Sequence, residues 1–243
     1  MEAECCTICL DSDPPPIQSG CACRSDTGLA HLECLIEKAV SQQAHRGAKA
    51  WSQCQTCGQD FTGAMRTGLG EAWWSRVRAQ AEESAERLGA AHNLGACRLW
   101  DGDYAEAERI EREVLGVRRR VQGEEHPDTL KSAGNLAASL SGQGKHAEAE
   151  RIHRQVLGVQ RRVLGEEHPN TLASANNLAA SLLGQGKHTE GSGSTGRCLV
   201  RARGCSVRSI PRRWPVRATW RRRSRTKGST LTQSGSSGRC LAC

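Results

Sequence analysis

The sequence predicts a mainly α-helical protein in which a small cross-linked N-terminal module precedes a short solenoid of helix pairs and a disordered tail. Three observations predict this fold class. Cysteine and histidine residues are paired within the first 57 positions, a 42-residue repeat follows, and the composition changes abruptly after Glu190. These features divide the chain into four segments: 1–65, 66–87, 88–190 and 191–243.

The first segment contains four closely spaced pairs of metal-ligating residues. The pairs are Cys6/Cys9, Cys21/Cys23, His31/Cys34 and Cys54/Cys57. Two such side chains can reach one tetrahedral ion, with Zn–S bonds of about 2.3 Å, and eight ligands are enough for two zinc ions. Because eight ligands leave no coordination position open for water, both ions are predicted to be structural.

The order and spacing of these ligands resemble the RING-CH (RING-variant) zinc fingers. The single residue between Cys21 and Cys23 and the longer step to His31 are the discriminating features. PHD fingers share the ligand order but usually space the second pair more widely and reach the histidine sooner, whereas a conventional RING places histidine fourth. Cys5 is a rival to Cys6, although its wider spacing from Cys9 is less usual for a first pair.

The resemblance implies a cross-brace, in which alternate pairs share one ion. One ion would take Cys6, Cys9, His31 and Cys34, and the other would take Cys21, Cys23, Cys54 and Cys57. This interleaving suits a module of about 60 residues, which is too small to depend on a hydrophobic core alone.

The resemblance also implies ubiquitin ligation, in which the module binds a charged ubiquitin-conjugating enzyme and supplies proximity instead of a nucleophile. Ile8 matches the apolar contact position of RING modules, and Trp51 is expected to line the same groove. The alternatives are that Ile8 packs beneath its loop and that Trp51 covers the zinc fold. Two departures weaken the match: Lys38 stands where the family has tryptophan, and Gly58 lacks a basic side chain.

A connecting helix is predicted over residues 66–87. Residues 69–87 are rich in alanine, glutamate and arginine and contain no proline. Trp73 or Trp74 is expected to cover the first repeat as an N-terminal cap.

The third segment repeats with a 42-residue period, marked by Leu88, Leu130 and Leu172. Residues 123–130 recur almost unchanged as residues 165–172. Within each unit, apolar residues at helical spacing predict two helices separated by glycines, and a fixed period of this length indicates a solenoid. Asp128 and Thr129, just after Pro127, are expected to cap the first helix of their unit. A coiled coil would not tolerate this punctuation by glycine and proline.

These repeats resemble the tetratricopeptide repeat, specifically its 42-residue kinesin-light-chain type. The resemblance covers about residues 80–190 and is carried by residues 143–150 and the recurring Gly-Glu-Glu-His-Pro block. It implies an α-solenoid whose first helices line a concave groove for an extended peptide or protein segment. Asn93, Asn135 and Asn177 would be groove residues, because an amide can donate to and accept from a peptide backbone. Hydrogen bonding between helices is the alternative role.

The net charge of +8 arises entirely from the last segment. Residues 191–243 contain 13 basic and no acidic residues, which leaves 21 basic and 26 acidic residues before them, a net charge of −5. Nucleic acid is therefore not an expected partner. Neither a signal peptide nor a membrane-spanning stretch is recognisable, so we expect a soluble cytoplasmic protein, with the nucleus as an alternative.

The tail keeps the 42-residue period while its chemistry changes. Residues 192–199 return in similar form as residues 234–241. Plausible repeat codons read one nucleotide out of frame can give the run 205–224, so we interpret the tail as repeat-coding sequence in the wrong frame. An arginine-rich arm that binds nucleic acid is the rival interpretation.

The combined prediction is a zinc-binding ubiquitin ligase that recruits a conjugating enzyme through its zinc module and its substrate through the repeats. Two alternatives belong to other classes: a non-catalytic zinc-stabilised adaptor, and a histone-tail reader of PHD type.

The frame-shift hypothesis predicts the sequence of the transcript. Downstream of codon 190, an alternative frame is expected to encode further 42-residue repeats, which direct sequencing of the transcript would detect. One uninterrupted frame with no repeat-encoding alternative would refute the hypothesis.

Overall fold

Seven α-helices and one small sheet make up the part of the chain that the computed structural model describes, residues 5–18, 20 and 28–187. The mainly helical fold class is confirmed. The predicted ligands Cys21 and Cys23, and the interpretation of residues 191–243, lie outside the described residues.

The N-terminal module is built on a two-stranded antiparallel sheet and one long helix. Strand β1 (Ile17–Gln18) pairs with β2 (Leu29–Ala30), and α1 (Leu32–Arg46) follows directly. This helix ends just before Gly47, whose φ of 53° lies in the left-handed region that favours glycine. A short 3-10 helix, Gly47–Trp51, then leads into a turn closed by a bridge between Gln53 and Asp60.

Six further helices form the solenoid. They are α2 (Gly63–Val77), α3 (Ala85–Asp101), α4 (Tyr104–Gln122), α5 (Pro127–Gly142), α6 (His146–Leu164) and α7 (Pro169–Gly184). Consecutive helices pack on one another, as a stack of helix pairs requires.

The predicted connecting helix over 66–87 is corrected, because the structure breaks it after Val77. Ser84 caps the next helix by accepting a hydrogen bond from the Arg87 backbone N–H at 3.4 Å. The Arg87 guanidinium also donates to the Gln80 carbonyl oxygen at 2.8 Å. The first repeat helix therefore begins at Ala85, and these bonds stabilise the break.

Histidine, and not the predicted Asp128 or Thr129, caps the first helix of the repeat. The Nδ1 atom of His126 accepts from the Asp128 backbone N–H at 3.2 Å, with Pro127 in the first turn. His168 makes the same bond to Asn170 at 3.2 Å. Proline suits this position because its missing N–H would have no helical partner there. The recurring His-Pro pair thus starts the second and third units, whereas Ser84 starts the first.

A buried carboxylate joins each repeat to the next. Glu108 on α4 accepts hydrogen bonds from Gln143 at 2.6 Å and Lys145 at 3.0 Å, both in the loop that follows α5. Glu150 on α6 repeats the arrangement with Gln185 at 2.7 Å and Lys187 at 3.0 Å. We call each set an inter-repeat lock.

One hydrophobic core is shared by the N-terminal module and the start of the solenoid. Trp51 and Trp73 stack with their ring centroids 5.9 Å apart and their planes within 2°. Cys6, Leu35 and Phe61 of the module belong to the same core, as do the following solenoid residues: Met65, Leu69, Val77 and Ala90. Trp74 packs against the hydrophobic core of the first repeat. Trp73 and Trp74 therefore both lie on the helix predicted to cap the repeats.

No helix among the described residues has both the length and the apolar character needed to cross a membrane.

The Glu108 lock predicts a pH-dependent stability difference. Burial raises the pKa of Glu108, but hydrogen bonds from Gln143, Lys145 and Arg112 outweigh it and lower the pKa to about 2. A lowered folded-state pKa contributes stability above the unfolded value and loses it as pH falls toward the folded one. We expect Glu108→Gln to lower the free energy of unfolding by about 2 kcal/mol at pH 6.

Urea denaturation of both proteins from pH 6 to pH 2.5 measures this difference. Comparison at equal pH cancels any effect of acid on the rest of the molecule, so the difference should shrink steadily below about pH 4.5. A difference in unfolding free energy that stays constant across that pH range would contradict the lowered pKa of Glu108.

Candidate metal centre and peptide groove

Four predicted ligands from separate segments meet at one point in the N-terminal module. The ligand atoms of Cys6, Cys9, His31 and Cys34 all lie within 4.8 Å of one another. Cys6 and Cys9 come from the first loop, His31 directly precedes α1, and Cys34 lies in the first turn of that helix. Cys6 joins this cluster and Cys5 does not.

The imidazole of His31 is oriented by a backbone oxygen. Its Nε2 atom donates to the Pro14 carbonyl oxygen at 2.5 Å, which leaves the lone pair on Nδ1. Nδ1 lies 3.3 Å from Cys9 Sγ and 3.8 Å from Cys34 Sγ. A tetrahedral zinc ion separates sulfur and nitrogen ligands by about 3.5 Å, so these distances fit such an ion. A carbonyl on the far nitrogen is the usual support for a ligating histidine.

Backbone N–H groups favour the thiolate form of Cys6. The N–H groups of Ile8 and His31 each lie 3.4 Å from Cys6 Sγ. Burial opposes ionisation, yet hydrogen bonds from the Cys9 backbone, these two N–H groups and the Cys9 side chain lower the pKa of Cys6 to about 6. Burial, together with the neighbouring Cys9 and Cys6 thiols, raises the pKa of Cys34 to about 12. Without a cation, the cluster therefore does not hold all its thiols as thiolates.

The donor set fits zinc. Three thiols and one imidazole, closed on all sides by protein ligands, match a structural tetrahedral site. Of the second predicted set, the structure describes Cys54 and Cys57, at opposite ends of a tight turn in which the Gly58 N–H donates to the Cys54 carbonyl oxygen at 2.9 Å. Their predicted partners lie outside the described residues, so the second site stays a prediction.

A shallow groove lies beside the cluster, between its loop, α1 and the turn at Cys54. Ile8 stands at its rim with 40 % of its surface exposed. Its floor is formed by the buried side chains of Ala30, Leu35, Ala39, Ala50 and Phe61. Its lining also includes two cationic side chains of α1, Lys38 and Arg46.

The expectation that Trp51 contacts a conjugating enzyme is corrected. Trp51 is 1 % exposed, and its ring is covered by Trp73. Its indole N–H donates to the Gln43 side chain. Trp51 therefore has no surface to offer a partner, and its position agrees with the alternative role of covering the zinc fold.

The three predicted groove asparagines differ in their surroundings. The amide nitrogen of Asn93 is buried without a hydrogen-bond partner and lies against α2 near Gly70, so a peptide could not reach it in this conformation. Asn135 donates to Glu111 Oε1 at 2.9 Å. Asn177 is half-buried on α7, and its side-chain amide makes no hydrogen bond with the described residues, although its backbone oxygen accepts one from Ser181 Oγ at 3.2 Å.

A buried ionic network behind Asn135 was not anticipated from the sequence. Glu111 is fully buried and lies 2.9 Å from His92 Nδ1. Buried Arg118 donates to Ser132 Oγ at 2.8 Å and to the Asp128 carbonyl oxygen at 2.7 Å.

Comparison of the repeats with one another could have indicated this network. At the positions 42 residues later, Glu111 and Arg118 are replaced by His153 and Gln160, so both charges disappear together. Burial lowers the pKa of His153 to about 4, which keeps it neutral. A paired loss of charge indicates that the two groups share one environment.

Comparisons with known proteins agree with the helix-pair stack. The tetratricopeptide repeat family model matches residues 86–162 and again residues 134–190. Residues 86–190, which span helices α3 to α7, are thus similar to tetratricopeptide repeats. The model does not cover the N-terminal module, and no curated protein matches the chain.

A solved structure with TPR-like repeats of the kinesin light chain kind has a fold similar to that of this chain. One crystal structure of a Podosopora anserina kinesin light chain protein with nearly identical TPR-like repeats has a TM-score of 0.51 and 21 % identity, over 71 % of this chain and 86 % of that one. BtubC (BKLC) from P. vanneervenii has a TM-score of 0.49 and 16 % identity, over 84 % and 87 % of the two chains. At 21 % identity the first of these likenesses concerns the fold alone.

The metal centre predicts zinc binding that strengthens with pH. Because Cys34 and its neighbours must lose protons to bind zinc, affinity should rise by about tenfold or more from pH 6 to pH 8. Competition with a chromophoric chelator measures it. Cys34→Ser should remove one zinc ion per chain, whereas Cys5→Ser, which alters an exposed thiol outside the cluster, should retain full zinc content. Equal zinc content in the two variants would exclude the proposed ligand set.

Proposed function

We propose that this protein is a RING-CH-like ubiquitin ligase, in which the zinc module binds a ubiquitin-conjugating enzyme and the tetratricopeptide repeats bind the substrate. The groove beside the metal centre carries the proposal. It combines an exposed aliphatic residue, Ile8, with an apolar floor, and it lies between three segments that carry predicted zinc ligands: the first loop, α1 and the turn at Cys54. That is the arrangement expected of a surface that accepts an apolar loop of a partner.

The zinc module would contribute to ubiquitin transfer by positioning the reactants. Bound zinc would hold the loops in place and, with all positions filled by protein ligands, would not activate water. The chain's own residues would dock the conjugating enzyme so that its thioester faces a lysine of the bound substrate, which raises the effective concentration of the reacting groups.

The shared core supports a fixed relation between the two binding surfaces. Trp51 of the module stacks on Trp73 of α2, and Gln43 of α1 donates to Glu86 of α3 at 2.8 Å. A substrate held by the repeats would therefore be presented from a constant direction, because no linker separates the module from the first repeat helices.

Two of the three asparagines remain candidates for binding a peptide. Glu111 orients the Asn135 amide through one N–H, which leaves its second N–H and its carbonyl oxygen for a ligand. Asn177 lies one repeat further along, and its amide makes no hydrogen bond to the described part of the chain. An extended peptide backbone that crosses α5 and α7 could engage both.

The second candidate function is a non-catalytic adaptor. Gly58 follows the last predicted ligand with a φ of 70°, so this position offers no side chain to activate ubiquitin. Such an adaptor would use zinc for stability alone and the repeats for assembly.

A discharge assay distinguishes the two functions. The zinc-loaded chain is expected to accelerate discharge of ubiquitin from at least one member of a panel of purified conjugating enzymes. Ile8→Ala should reduce that acceleration by about tenfold, since truncation of an interface anchor commonly costs 1–2 kcal/mol. Val40→Ala is the matched control, because Val40 is a similarly exposed aliphatic residue, at 37 %, on the same module but outside the groove.

Zinc content and melting temperature should be equal in all three proteins. If discharge is not accelerated for any conjugating enzyme in the panel, the adaptor function is favoured. Equal losses of acceleration in Ile8→Ala and Val40→Ala would refute docking at the groove.

A further inference from the structure

Lys38 lines the groove beside the metal centre, and its ammonium group has no acceptor among the described residues. Lys38 lies on α1, four residues after Cys34, and is half-buried. Its carbonyl oxygen accepts from Ser41 Oγ at 2.9 Å, but its ammonium group makes no ion pair or hydrogen bond with the described residues. Its ammonium is therefore free to pair with a carboxylate that a partner brings, and such a pair is stronger where the contact excludes water.

The other groups around the groove do not supply that carboxylate. None of its described lining residues is aspartate or glutamate. Arg46 is already engaged, because its guanidinium donates to Gln42 Oε1 at 2.9 Å and to the Gln53 carbonyl oxygen at 3.2 Å. Gln42 in turn donates to Gln55 at 2.6 Å. These bonds fix the far wall, so Lys38 is the lining cation that remains available to a partner.

Because of its position, the charge of Lys38 affects which partner proteins can bind in the groove. It borders the same floor as Leu35 and Ala39, with Ile8 at the rim of the groove. An apolar side chain entering the groove would cover the ammonium and remove water from it. The complex would then be stabilised if the partner brought a carboxylate and destabilised if it brought a cation.

We infer that Lys38 is a specificity-determining residue that selects conjugating enzymes with an acidic side chain next to their apolar docking loop. The inference rests on the proposed function and names the partner chemistry of the same groove. Ile8 would supply the apolar contact common to all partners, while Lys38 would distinguish among them.

Binding of the zinc-loaded full-length chain to purified conjugating enzymes tests this selection. The panel is divided by whether an acidic or a basic residue flanks the apolar loop, and dissociation constants are measured by calorimetry at low salt. Lys38→Met, which keeps the alkyl chain, should weaken binding of the acidic group about fivefold, and Lys38→Glu more than about tenfold. Lys38→Glu should tighten binding of the basic group.

Lys49→Met and Lys49→Glu are the matched controls. Lys49 is exposed and lies outside the groove, so equal changes in net charge there should alter affinity less than about twofold. Exchange of the partner's acidic residue for lysine should restore binding to Lys38→Glu, which a general loss of folding could not produce.

These measurements distinguish failure of the Lys38 inference from failure of the ligase proposal. Binding that depends on Ile8 but is unchanged by Lys38→Glu would overturn the inference and leave the ligase proposal intact. Binding to no member of the panel would overturn both. Equal effects of the Lys38 and Lys49 variants would attribute the result to net charge and would also overturn the inference.

Discussion

The stacking of Trp51 on Trp73 is the contact on which the rest of the structure depends. The module has about 60 residues, and domains of that size bury too little apolar surface to be robust alone. A stack of so few helix pairs has the same problem, since each unit covers its apolar face with a neighbour. By sharing one core around the two indoles, each part covers the surface that the other leaves exposed.

Helix α2 makes this sharing possible because it occupies the place of a second repeat helix. It begins 41 residues before α4, close to the spacing of 42 that separates α4 from α6. Its junction with α3 uses different chemistry from the later locks: Thr67 donates to Asp101 at 3.0 Å, and the Arg66 guanidinium lies 4.9 Å from the Trp100 ring. The lock glutamate is thus replaced by arginine, and the glutamine by aspartate. One face of α2 therefore matches a repeat, and the other accepts the module.

The features that could be predicted from sequence are those that depend on local spacing. The 42-residue period predicted the helix pairs, and the resemblance to RING-CH zinc fingers implied which cysteines would lie near His31. The break after Val77 could not be predicted, because residues on both sides of it favour helix and its stabilising bonds are between side chains and backbone. The burial of Trp51 depends on a residue 22 positions later, and the missing partner of Lys38 depends on every segment around the groove. Such features arise from tertiary structure.

The inter-repeat locks also bear on how such chains change their length. Each glutamine and its glutamate are 35 positions apart, in one unit and the next. Duplication or deletion of any whole 42-residue block reproduces the same spacing at the new junction, so it leaves every lock intact. The number of units can therefore change by recombination between near-identical coding segments without the loss of a lock. The first junction, with its own chemistry, is the point that such events must leave unchanged.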